Sequence, residues 1–177
     1  MPQRTTDTRF FTNDEGGTLL QRFKQTLRHV DKFDVLVGYF RASGFYALYK
    51  DLEKVNKIRI LNGLDVDSKT FQAFSESQQE LGFDSAAKAK ENYAKRVEEE
   101  VVESEDNHQT FEGYQKFVEY LKSNKIELKQ HPSHKLHAKV YISRFGGSVA
   151  DIDFGRVITG SSNFSQSGLI DNHEFNV

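Results

Sequence analysis

The stretch Lys135-Leu-His-Ala-Lys-Val-Tyr-Ile-Ser143 constrains this chain most. Ala138, Val140 and Ile142 alternate with His137, Lys139, Tyr141 and Ser143. Side chains on a strand alternate faces with period two, so the pattern predicts a strand. It further predicts that the three aliphatic residues enter a core and that His137 and Lys139 project together from the opposite face. An imidazole beside an ammonium makes a place for an anion with a nucleophile next to it. A second stretch follows at Val157-Ile-Thr-Gly-Ser-Ser-Asn-Phe-Ser165. Its Gly160-Ser161-Ser162-Asn163 segment is a turn of small residues with hydroxyls, an amide and free backbone N–H groups. Turns of that kind hold phosphate oxygens.

These two pieces resemble the phospholipase D superfamily motif, H-x-K-x(4)-D followed by G-S-x-N. His137, Lys139, Gly160, Ser161 and Asn163 match it. The likeness extends to Phe164-Ser165, to Ser167-Gly168-Leu169, and to Glu174 in a closing strand. The Asp of the motif would fall at position 144, where this chain has Arg144. The segment Phe33–Phe40 likewise resembles the first core strand of such domains. The resemblance implies phosphodiester hydrolysis without a metal or other cofactor. One His attacks phosphorus and a second protonates the leaving oxygen. Lys139 and Asn163, with Ser161, would bind the phosphate oxygens, and Glu174 would orient the nucleophilic His137 through its second ring nitrogen.

The sequence holds one H-x-K and no internal repeat. A complete two-histidine site then calls for a second copy of the chain, supplied by a homodimer with the two motifs face to face. Nucleic acid is expected as substrate rather than lipid, and DNA rather than RNA. That expectation rests on likeness to phospholipase D-like domains of helicases and restriction-type proteins, which implies helicase or other domains in a longer protein. The chain stops at Val177 inside what reads as a strand, consistent with a fragment. The alternative is a catalytically silent nucleic-acid-binding or dimerisation module of a helicase.

Composition bounds these readings. At 177 residues a single domain spanning 1–177 is expected, long enough to bury a core. A formal net charge of −2 gives no global attraction to nucleic acid, so binding needs a local surface. There are no cysteines, which removes disulfides and thiolate metal sites and fits a cytoplasmic location. No apolar run is long enough to span a bilayer, and no signal-peptide pattern opens the chain, so no membrane partner is expected.

The pattern along the chain predicts an α/β fold with a mixed, mostly parallel sheet and helices on both faces. Residues 1–16 read as irregular. Thr18 reads as an N-cap, with Leu19, Leu20, Phe23, Leu27 and Val30 on one helical face. Phe33–Phe40 reads as a buried strand. A helix with Phe45, Leu48, Tyr49 and Leu52 inward follows, then a strand from Lys57 to Gly63. That order implies a parallel βαβ unit. Residues 68–125 read as a charged helical insertion, including a helix over Ala86–Val102 and another through Phe111, Tyr114, Phe117, Val118 and Leu121. Ile126–Gln130 is a strand, Phe145–Asp153 a turn region, and Arg156–Thr159 and His173–Val177 complete the sheet. His131, His134 and His137 invite a metal site, but the acidic or thiolate ligands to complete one are missing nearby. Tyr39 and Tyr141 read as packing residues rather than stacking platforms.

Overall fold

The computed structural model describes residues 10–13, 17–66, 68–79, 107–131 and 136–177. It is mixed α/β. The elements in order are β1 (Phe11–Thr12), α1 (Leu19–Thr26), β2 (Val30–Phe40), α2 (Ala42–Tyr46), β3 (Lys57–Val66) and α3 (Ser68–Gln79). Then come α4 (Asn107–Lys122), β4 (Ile126–Gln130), β5 (Lys139–Phe145), β6 (Gly155–Thr159) and β7 (Phe175–Asn176). The expected Ala86–Val102 helix and His134 lie outside the described residues.

Five strands form one sheet in the order β4-β3-β2-β5-β6. β2 pairs parallel with β3, and β3 parallel with β4. β5 runs antiparallel to both β2 and β6. Four strands therefore point one way and β5 points back. The β2–α2–β3 crossover is the parallel unit expected from the pattern.

Local chemistry explains the boundaries. The Thr18 side chain accepts from the Gln21 backbone N–H and caps α1. The predicted helix after β2 is split into α2 and a 3-10 turn at Asp51–Lys54, yet Phe45, Leu48, Tyr49 and Leu52 are all buried as expected. Phe11–Thr12, expected to be irregular, pairs instead with Phe175–Asn176 as a separate two-stranded sheet. That corrects the assignment of the last strand to the main sheet. Reciprocal backbone hydrogen bonds between Val177 and Thr159, both 2.9 Å, tie β7 to the end of β6.

The core lies on the face carrying Phe33, Val35 and Val37 of β2, Ile58 and Ile60 of β3, and Tyr141 of β5. Phe23 of α1 packs edge-on against Phe33 and Tyr141, with centroids 5.4 and 5.0 Å apart. Phe117 of α4 packs on Phe40 and Phe45. This corrects the expected polarity of β5. Lys139, Tyr141 and Ser143 are the buried set, and Ile142 is 37% exposed. Val140 and Ile142 share the opposite sheet face with Asp34, Leu36, Arg59 and Leu61. Of the described helices, α1 packs on the first face, through Phe23.

Candidate active site

β2 ends, β5 begins and β6 ends at one edge of the sheet, the carboxyl edge of the parallel strands. Open α/β sheets bind ligands at such edges. The residues singled out by spacing gather there. His137 is exposed and lies two residues before β5 begins. The Lys139 ammonium nitrogen stands 2.9 Å from His137 Nε2 and 3.1 Å from Nδ1. It also donates to the His137 carbonyl at 3.2 Å.

Lys139 is 7% exposed. Burial pulls its ammonium pKa below the usual 10.5, and the nearby Glu174 carboxylate acts in the opposite direction. A partly desolvated ammonium attracts a phosphate oxygen more strongly than one in bulk water.

The Gly160–Asn163 turn docks onto the end of β2. Asn163 Oδ1 accepts from the Tyr39 backbone N–H at 3.2 Å, and the Phe164 carbonyl accepts from the Arg41 N–H at 2.9 Å. The Phe164 ring stacks on Phe40 with centroids 5.2 Å apart. Beneath the turn, the buried Tyr141 hydroxyl donates to the Ser162 carbonyl at 2.7 Å. Burial pushes that hydroxyl well above its usual pKa of 10.0, so it remains a donor. Asn176 Nδ2 donates to Ser162 Oγ at 2.9 Å. A Cβ at Gly160 would overlap the Phe175 carbonyl oxygen, so β7 can approach only a glycine there.

Glu174 takes a different partner from the one expected. Its carboxylate accepts hydrogen bonds from the Ser161 hydroxyl and, at 3.3 Å, from Asn172 Nδ2. Its field reaches Lys139. Ser161 Oγ in turn accepts from the Phe175 backbone N–H at 2.9 Å. Glu174 thus holds the turn and balances the lysine.

His137 sits where two glycines let its segment cross the sheet edge. A Cβ at Gly38 would lie 2.8 Å from His137 Cδ2, and one at Gly63 would overlap the Leu136 carbonyl. Tyr39 lies beside the His137 ring, with centroids 6.0 Å apart and planes at 84°. Tyr39 is 36% exposed, which corrects its reading as a packing residue; Tyr141 is buried as expected. A glycine inside a strand pattern marks a bulge or a close backbone approach, and Gly38 was that signal.

Arg144, at the motif's Asp position, is paired on the far side of the sheet. Its guanidinium meets Asp34 Oδ2 at 2.7 Å, and Arg59 meets both carboxylate oxygens of Asp34 at 2.7 Å. Arg59 first, then Arg144, hold the Asp34 carboxyl below its usual pKa of 3.8. No group of three or more metal-ligating side chains occurs among the described residues, and no described helix is long and apolar enough to cross a membrane.

No family model matches the chain, and no curated protein matches it.

Proposed function

We propose that this chain is a phosphodiesterase of the phospholipase D type that cleaves nucleic acid, DNA in preference to RNA, through a phosphohistidine. The observation that carries the reading is the convergence of His137 and Lys139 at 2.9 Å beside the turn that bears Ser161 and Asn163. A phosphate placed there meets a nucleophilic nitrogen, a desolvated ammonium, and the hydroxyl and amide groups of the turn.

In this reading a His137 ring nitrogen forms a bond to phosphorus, and the bond from phosphorus to the leaving oxygen breaks. His137 of a second copy gives its proton to that oxygen, then takes one from water as water displaces the histidine. Lys139 and Asn163 stabilise the charge that develops on the phosphate oxygens. Glu174 keeps Ser161 in place and sustains the charge of Lys139. No step is assigned to a metal.

The paired state of Arg144 favours this reading over the catalytically silent module. Arg144 is bound to Asp34 away from the site, so the substitution leaves the histidine and lysine unobstructed.

The test is cleavage of labelled oligonucleotides in EDTA by wild type and His137→Ala, with sedimentation at the same concentration. Cleavage lost in His137→Ala, from a dimer, supports the shared site. Cleavage by a strict monomer that depends on His137 overturns the shared-site model. Cleavage that requires added Mg²⁺ or Zn²⁺ overturns the metal-independent chemistry.

A further inference from the structure

Tyr39 breaks the inward–outward alternation of β2. Val37 and Phe40 are fully buried, while Tyr39 between them is 36% exposed. The pairing with β3 shifts register between Val37 and Tyr39, so the bulge turns the ring out of the core. The exposed ring is nevertheless held in place. It stands edge-to-face against His137, its backbone N–H is bonded to Asn163, and the Arg41 guanidinium lies 5.8 Å from its centroid.

A second exposed aromatic element flanks the turn. Phe10 and Phe175 are 67% and 52% exposed and stack at 4.7 Å with planes 25° apart. The Phe175 backbone N–H is bonded to Ser161. Aromatic surface left in water contributes nothing to folding. Here one such ring stands beside His137, and another belongs to the residue whose backbone N–H holds Ser161. Phosphate binding needs no aromatic rings, but nucleobases do stack on them.

We propose that the site takes single-stranded nucleic acid. The base next to the scissile phosphate stacks on Tyr39, Arg41 meets the adjoining phosphate, and Phe175 with Phe10 receives a base on the other flank. A duplex keeps its bases paired and stacked on one another, so it can offer them to Tyr39 only by unpairing. The proposal rests on the phosphodiesterase reading and adds the strandedness of the substrate to it.

The experiment measures fluorescence anisotropy in EDTA with three labelled probes: an oligothymidylate, the same strand annealed to oligoadenylate, and a chain of equal length with every base removed. The proteins are wild type at position 39, Tyr39→Leu and Tyr39→Phe, each carrying His137→Asn for the binding measurement so that the probes stay whole, and each with His137 intact for a separate cleavage assay. Stacking predicts that wild type binds the single strand about tenfold more tightly than the baseless chain. Tyr39→Leu lowers that difference severalfold, leaving the share of Phe175 and Phe10, and Tyr39→Phe keeps it. The comparison of probes on wild type stands even if Tyr39→Leu fails to fold. Equal binding of the single strand and the baseless chain by wild type overturns the proposal, and so does tighter binding of the duplex. Failure of the underlying reading looks different: no probe is cut by wild type, whatever Tyr39 does to binding.

Discussion

Gly38 faces His137 so closely that a Cβ would lie 2.8 Å from the imidazole Cδ2. The absence of a side chain on β2 therefore sets where the candidate nucleophile stands. The end of a strand and the segment crossing it share space that only glycine leaves free. A methyl group there must displace the ring, because the contact is shorter than side-chain packing tolerates.

Gly38→Ala is expected to lower kcat by about tenfold or more, since small displacements of a reacting group cost that much. Thermal unfolding should shift only modestly, because His137 is exposed and can move. Steady-state kinetics beside thermal unfolding checks this. Unchanged kcat would mean that the position of the ring does not limit the reaction.

Glu174→Gln should move the alkaline limb of activity. The Glu174 carboxylate raises the pKa of Lys139 against the lowering effect of burial. Removing the charge while keeping the amide's capacity to hold Ser161 lets the lysine pKa fall further. The ammonium is then lost at a lower pH. The pH profile of kcat/KM should bend downward at lower pH in Glu174→Gln than in wild type, with its acid limb unchanged. A profile displaced to higher pH would contradict this electrostatic role.

The Asp34 cluster predicts a pH-dependent contribution to stability. The folded-state pKa of Asp34 is depressed below 3.8, primarily by the hydrogen bonds of Arg59. A depressed carboxyl stabilises the fold above its unfolded pKa, and this contribution is lost as pH falls through the folded value. Asp34→Asn should therefore cost about 1 kcal/mol near neutrality, since both arginines are about half exposed. The difference from wild type should shrink once the pH is below that range. Denaturant unfolding of both proteins at neutral and strongly acid pH measures it. A difference that persists in acid would assign the effect to packing.

Much of the site was legible because it is local. The order His137, Lys139 and then the small residues of Gly160–Asn163 was readable, but His137 precedes β5 and Lys139 lies on its buried face, not on the outer face that alternation along one strand implied. The Thr18 cap and the limits of Ile126–Gln130 were equally readable. The polarity of β5 was not. Period two divides a strand into two sets without saying which set meets a helix. Tyr141, with its large ring and satisfied hydroxyl, goes under α1, and Ile142 goes outward. The partner of Glu174 depends on β7, a two-residue strand paired with residues far away in the chain, and that pairing leaves no local pattern. Tyr39 was misjudged because one bulge reverses every inference from alternation beyond it.

The central claim is that His137 carries the phosphoryl group. The direct measurement is mass spectrometry of the protein quenched at neutral pH during turnover of a short oligonucleotide in EDTA, followed by proteolysis. The account predicts a phosphoryl-linked nucleotide on the peptide containing His137, absent from His137→Ala, whose cleavage rate falls on the order of a thousandfold or more. Undiminished cleavage by His137→Ala, with no adduct on that peptide in wild type, would contradict it.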